Sequence, residues 1–324
     1  MEMKNKYMKR LLIYFFYDKD GIVDDYIPYV LKAFRPFCSE VCMVVNGNIT
    51  EESKLKVQPL IDNMLIRENV GLDAEAYKYA IKHYGYEALK AYDELVCTNF
   101  TYFGPFSSMT EFWDTMDSKE CDWWGVYRWP IANPIYHHIP SFFVGYRNSL
   151  LKDKAFEQYW ETMKEIKTYA DSCRFHEQRQ TPYYDSLGFK NAVYFENHFK
   201  YMEDWNLHWP LKDADRLLKE DNFPFVKRRN FFWEEYTSRY KSTLDNIVSY
   251  IKNDTDYDFS MISKNILRTE NYDIIKRYEK NKNKYKLYSK FHFKKLKRHE
   301  YRNRIQLLEK MKQYENLLKG SENV

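Results

Sequence analysis

Several short groups of residues in this chain have the types and spacing of ligand-binding or proton-transfer chemistry. Thr98, Asn99 and Thr101 follow an apolar run at 95–97 and precede a Gly104-Pro105 turn and a helix-like segment. A buried strand, polar residues at its carboxyl end, a tight turn and a helix is how an α/β sheet presents a ligand site. Asp18-Lys19-Asp20-Gly21 follows an earlier apolar run, and Asn69-Val70-Gly71-Leu72-Asp73 a third. A glycine there lets backbone approach a ligand closely, and a helix N-terminus beginning near Asp73 favours anions. His137-His138-Ile139-Pro140-Ser141 enters a further strand, where His138 could position a phosphate or a sugar hydroxyl. His176-Glu177 offers a carboxylate suited to general-base work. Lys227-Arg228-Arg229 could offset a diphosphate.

Each group also has a plainer reading. Asp20 and Asp73 suit loops that cap the next helix. Adjacent histidines in extended chain point in different directions and make a poor metal pair. Glu177 is one of 47 acids, and a run of three cations is commonly a solvated face.

The elements that must position these residues alternate. Strands are expected at 11–16, 40–45, 64–66, 95–98, 123–127, 141–146 and 192–195. Helices are expected at 23–34, 51–61, 73–83, 108–116, 152–166 and 181–187, with Asp73 and Ser108 as caps. This alternation predicts an α/β fold with a mostly parallel sheet flanked by helices. Beyond residue 233 the strand signals stop. Helices are expected at 240–251 and 259–267, and a long polar helical pattern at 272–318.

Composition limits the classes. With 324 residues, 44% of them hydrophobic, most of the chain has material for a core. No apolar run approaches the roughly 20 residues of a membrane-spanning helix. The run at 11–16 is too short for a signal-peptide core, so it reads as the first strand of a cytoplasmic protein. The five cysteines, Cys38, Cys42, Cys97, Cys121 and Cys173, lack zinc-site spacing and read as buried free thiols. The net charge of +4 is uneven: residues 276–304 hold thirteen Lys or Arg against two acids, so the body before them is acidic. Aromatic residues and leucines interleave with these cations, from Tyr285 to Leu296, which suits an anionic membrane surface. A basic tail also binds nucleic acid without sequence preference. The acidic body and the lack of a nucleic-acid motif argue against that partner.

The order of the groups resembles the rhamnan synthesis protein F family of glycosyltransferases. The resemblance runs through residues 11–29, Arg67-Glu68-Asn69-Val70-Gly71-Leu72-Asp73, residues 94–105, Asp122-Trp123-Trp124-Gly125, residues 138–143, His176-Glu177 with Gly188-Phe189-Lys190, and residues 224–228. It implies a GT-A-like, Rossmann-type mixed sheet with a helical C-terminal extension. The implied division is a glycosyltransferase domain at 1–235, a helical closing segment at 236–275 and a basic helical tail at 276–324. It further implies transfer of a deoxyhexose, typically L-rhamnose from dTDP-rhamnose, to a lipid-linked or surface polysaccharide acceptor. By position, Asp20, Asn69, Gly71 and Asp73 would line the nucleotide, Asn99 and Thr101 would face the diphosphate, and Lys227 would add a cation. His138 and Ser141 would lie near the sugar, with Glu177 as base. A peripheral place at the inner face of the plasma membrane, through 276–304, goes with such an acceptor.

Displacement at the anomeric carbon needs a base for the acceptor's proton and charge compensation for the departing diphosphate. Many GT-A enzymes supply the latter with a divalent cation held by an acid after the fourth strand, and hard cations want oxygen ligands. Where the family has Asn-Asp-Ser, this chain has Asn99-Phe100-Thr101. Three alternatives follow. Lys227, Arg228 or a histidine replaces the metal; another acid such as Asp122 serves; or the chain is a catalytically silent glycan-binding or scaffold subunit.

Overall fold

The computed structural model describes residues 8–128, 138–196, 214–231 and 241–269. The tail at 276–324, with its expected helix and membrane face, lies outside these residues, as does His137. Two compact units form, one from residues 1–101 and 108–206 and one from 102–107 and 207–324.

In the first unit the chain runs β1 (Arg10–Tyr17), α1 (Tyr26–Phe34), β2 (Glu40–Asn46), α2 (Glu51–Val57), β3 (Asn63–Arg67), α3 (Leu72–Tyr84), α4 (Tyr86–Leu89) and β4 (Glu94–Asn99). In the second unit lies the two-residue β5 (Tyr102–Phe103). The first unit resumes with α5 (Met109–Ser118), β6 (Trp123–Tyr127), β7 (Phe143–Arg147), α6 (Asn148–Leu151), α7 (Lys154–Glu161), α8 (Tyr169–Ser172), α9 (Gln178–Ser186) and β8 (Asn191–Phe195). A π-helical turn, Cys173–Glu177, joins α8 to α9.

Seven strands make one mixed sheet in the order β3-β2-β1-β4-β7-β6-β8. β1, β2, β3 and β4 are parallel to one another; β7 runs antiparallel to β4 and β6, and β8 is parallel to β6. The mixed sheet that the resemblance implies is therefore present, with β7 as its reversed strand. The carboxyl ends of β1, β2, β3, β4, β6 and β8 and the start of β7 share one edge. β1 and β2 are near-continuous apolar runs, and every residue of β4 is buried, because both faces of the sheet are covered.

At the opposite edge a buried ion network ties the strands together. Arg10 pairs with Glu94 and, at 2.6 Å, with Asp117. Arg147 lies 3.1 Å from Glu94 Oε1, which also accepts from the Trp124 indole N–H. The Arg10 guanidinium stacks 4.1 Å from the Trp113 ring centroid. Burial pushes the Asp117 carboxyl up against the opposing pull of Arg10. Cys38, Cys42 and Cys97 are buried free thiols as expected, whereas Cys121 and Cys173 are half-buried.

In the second unit β5 pairs antiparallel with β9 (Val226–Lys227), and α10 (Ala214–Glu220), α11 (Lys241–Asp254) and α12 (Ser260–Thr269) complete its described part. Phe103 packs on Phe231, and Phe106 on Tyr257. Among the described residues no helix is long and apolar enough to cross a membrane.

Candidate functional site

The carboxyl edge of the sheet gathers two polar clusters. The first is built on the segment between β3 and α3. Gly71 has φ +71°, and Leu72 follows at φ +54°, a left-handed conformation uncommon for a side chain of that size. A Cβ on Gly71 would lie 2.0 Å from Cγ of Glu75, so only glycine fits there. These two residues turn the chain across the strand ends. The Asn46 amide, at the end of β2, lies 3.4 Å from the Leu72 carbonyl and accepts from Arg67 at 2.9 Å. One residue on, the Asp73 carboxylate accepts from the Asn99 side-chain amide, at the end of β4, at 2.8 Å.

Asn99 is buried and held from both sides. Its Oδ1 accepts from the Thr101 amide at 3.1 Å and from the Thr101 hydroxyl at 2.7 Å. Asp73 does not cap α3, as the sequence suggests; the cap position is Gly71, and Asp73 lies inside the first turn. Its carboxylate meets the Ala74 N–H at 3.0 Å and, at a long 3.5 Å, Ser172 at the end of α8.

The second cluster is centred on Glu177. Its carboxylate accepts from the Ser141 backbone N–H at 3.2 Å and stands 4.0 Å from His138 Nε2. The π-helical turn aims it. Within that turn His176 points into the core, where Nδ1 bonds the Tyr159 hydroxyl at 2.8 Å, and Glu177 stays half-exposed. Single π-turns inserted in α-helices are frequent at functional sites. Burial holds the His176 imidazole neutral, with its pKa pushed down to about 3 and the Arg179 charge adding to the effect.

Cys173 opens the same π-helical turn. Burial first, then the charge of Glu177 and more weakly that of Asp73, pushes its thiol up to about 11.

The structure thus brings Asp73, Asn99 and Thr101 into one cluster and His138, Ser141 and Glu177 into another. Asp20 lies after β1, exposed, in a turn closed by the Asp18 carboxylate on the Asp20 and Ile22 amides. Asn69 is exposed beside the Gly47 turn. Lys227 belongs to the second unit, opposite Tyr102. There the Arg228 guanidinium is tied to Asn265 at 3.1 Å and Thr269 at 3.3 Å.

Asp122 is not a substitute acid for this edge. It precedes β6 at the end where Arg147 lies opposite Glu94, and its carboxylate accepts from Ser149 and the Lys190 N–H at 2.6 and 2.8 Å. Asn46 and Arg67 were absent from the sequence-derived candidates. Their signal was the same as that of Asn99: a polar residue closing an apolar strand run.

The donor set after β4 does not fit a divalent cation. Phe100, where the family pattern has an acid, packs its ring on Phe15 and Phe16 at centroid distances of 5.7 and 5.9 Å. Its carbonyl accepts from the Tyr26 hydroxyl at 3.0 Å. Among the described residues no three His, Cys, Asp or Glu side chains are grouped to hold a metal ion.

The family model for rhamnan synthesis protein F matches residues 41–321, most of the chain. The chain belongs to the rhamnan synthesis protein F family. No curated protein matches this family member's sequence. Solved structures align weakly. A protein assigned as a nucleotide-diphospho-sugar transferase, from Desulfovibrio desulfuricans G20, has 9% identity and a TM-score of 0.36 over 68% of this chain and 96% of its own. A cytidylyltransferase from Leptospira borgpetersenii has 13% identity and a TM-score of 0.36 over 78% and 95%. Glucosyl-3-phosphoglycerate synthase from Mycobacterium tuberculosis, solved with Mn2+ and UDP, has 12% identity and a TM-score of 0.31 over 44% and 57%.

Proposed function

We propose that this member of the rhamnan synthesis protein F family is a GT-A-type glycosyltransferase. It moves a deoxyhexose, L-rhamnose from dTDP-rhamnose, to a lipid-linked or surface polysaccharide acceptor. The observation that carries the reading is the placement of Glu177 in a chain of this family. A half-exposed carboxylate, fixed by the Ser141 N–H and 4.0 Å from His138, stands at the ligand edge of an α/β sheet.

In this reading Glu177 takes the proton of the acceptor hydroxyl as its oxygen attacks the anomeric carbon. The bond from that carbon to the diphosphate breaks, and the electron pair leaves with the diphosphate. His138 and Ser141 position the sugar. Asp20, Asn69, Gly71 and Asp73 line the nucleotide side, Asn99 and Thr101 shape the diphosphate end, and Lys227 contributes a cation. The division into residues 1–235, 236–275 and 276–324 belongs to the same proposal. So does a cytoplasmic protein held at the inner membrane face by 276–304, with no nucleic-acid partner.

Calorimetry with dTDP-rhamnose, UDP-sugars and GDP-sugars tests the reading. Saturable binding of one donor is expected, and a folded protein that binds none of them removes the transferase assignment. Co-sedimentation with anionic vesicles tests the tail: deletion of residues 276–324 is expected to abolish binding, and undiminished binding rejects its membrane role.

A second reading, a catalytically silent glycan-binding or scaffold subunit, is favoured by one observation, the turning of Phe100 onto Phe15 and Phe16. Transfer activity by the isolated chain rules it out.

A further inference from the structure

We infer that the end of β4, where GT-A-type enzymes commonly hold a divalent cation, is built to work without one. The inference deepens the transferase reading and, in its consequence for catalysis, rests on it. Three observations carry it.

The first is Phe100. Its ring is packed on Phe15 and Phe16 and its carbonyl already accepts from Tyr26, so the side chain offers a cation no ligand. The second is the orientation of the Asn99 amide. Were it flipped, its NH2 would face the Thr101 N–H, donor against donor, and its oxygen would face the Asp73 carboxylate, acceptor against acceptor. The partners on both sides therefore fix one orientation. It spends Oδ1 on Thr101 and aims an N–H at the acid.

The third is Asp73. Its carboxylate is bonded by that N–H at 2.8 Å and by the Ala74 N–H at 3.0 Å. The Asn99 N–H thus meets the Asp73 oxygen that faces β4, and the Ala74 N–H of α3 meets the other oxygen. A hard divalent cation takes six or more oxygens, preferably with several carboxylates. Among the described residues it would find no group of three acid, histidine or cysteine side chains, and the amide beside Asp73 is committed to Thr101 and Asp73. Charge on a departing diphosphate therefore falls to the protein's own N–H, O–H and cationic groups, which preorganised donors can meet.

Titration of the full chain with Mn2+, followed by the electron paramagnetic resonance of the free ion, tests this in the absence of nucleotide. No saturable site tighter than about 10⁻³ M is expected, the range of the weakest protein sites. A tighter site that weakens at least tenfold in Asp73→Asn or Asn99→Ala overturns the inference. A tighter site indifferent to both substitutions lies elsewhere and leaves the inference standing. Calorimetry with dTDP, in chelator and then in Mn2+, covers a cation that enters only with nucleotide. Equal affinity in the two conditions is expected, and a tenfold gain in Mn2+ overturns it. A chain that binds no dTDP in either condition sinks the transferase reading alone, and the Mn2+ titration still decides the cation question.

Discussion

Asn99 and Asp73 are joined by a 2.8 Å hydrogen bond between the side-chain amide at the end of β4 and a carboxylate in the first turn of α3. The bond closes the loop from β3 over the strand ends and fixes the acid at the ligand edge. Asn99→Ala removes the donor to Asp73 and both acceptor bonds to Thr101. A loss of about 1–3 kcal/mol is expected, the cost of leaving buried polar groups unpaired, and urea unfolding reads it. Asn99→Asp makes a sharper case. It sets two carboxylates at hydrogen-bond distance, which cannot both ionise freely, so the pair holds a proton with a raised pKa. A pKa raised above its unfolded value contributes stability at low pH that is lost as pH rises. Asn99→Asp is therefore expected to be closer to wild type at pH 5 than at pH 8, and thermal melts at the two values check the sign.

Glu177 is expected to matter to rate more than to fold. Glu177→Gln keeps an oxygen for the Ser141 N–H and loses the proton acceptor. A general base is worth about 10²–10⁴ in rate. Donor turnover should fall by that factor while donor binding by calorimetry and the melting temperature stay near wild type. Undiminished turnover would take the base role away from Glu177.

The opposite edge of the sheet makes a stability prediction. Glu94 is fully buried between Arg10 and Arg147. Glu94→Ala leaves two guanidiniums facing one partly exposed acid, Asp117. Removing one partner of a buried pair costs about 3–5 kcal/mol. Chemical denaturation should show a loss of this size, larger than that of Lys82→Ala, whose partner Glu161 is in an exposed pair.

Much of this fold was legible because strand runs such as Leu95-Val96-Cys97 are apolar on both faces and end in polar residues. Direction was harder to read. Asp122 also borders an apolar strand run, yet it precedes β6 and so sits at the far edge from Asn99. The cap at Asp73 was misplaced because nothing in Gly71-Leu72-Asp73 tells that Leu72 as well as Gly71 turns left-handed. The helix expected over 152–166 stops at Glu161, and a new start follows where Thr168 and Asp171 form a capping box. β5 and β9, two residues each, are too short to carry a period. Glu177 was identifiable as an acid of the right region. The π-helical turn that separates it from His176 has no sequence signature, because it is set by how the Tyr159 hydroxyl and the neighbouring rings receive the imidazole.

His176 gives the last prediction. The imidazole is buried against Tyr159 and Trp160, with Arg179 as a nearby cation, and is held neutral with a pKa of about 3. In the unfolded chain it titrates near its ordinary value of 6.5. Between these values the unfolded state binds the extra proton, so the contribution of this group is complete above the unfolded pKa and is lost as pH falls towards the folded one. The slope is at most about 1.4 kcal/mol per pH unit. Unfolding free energy should therefore drop between pH 6.5 and pH 5, and His176→Gln, which cannot titrate, should flatten that stretch of the profile even if it lowers stability at neutral pH. A wild-type profile flat from pH 7 to pH 5 would mean that the imidazole charges without unfolding the turn that carries Glu177.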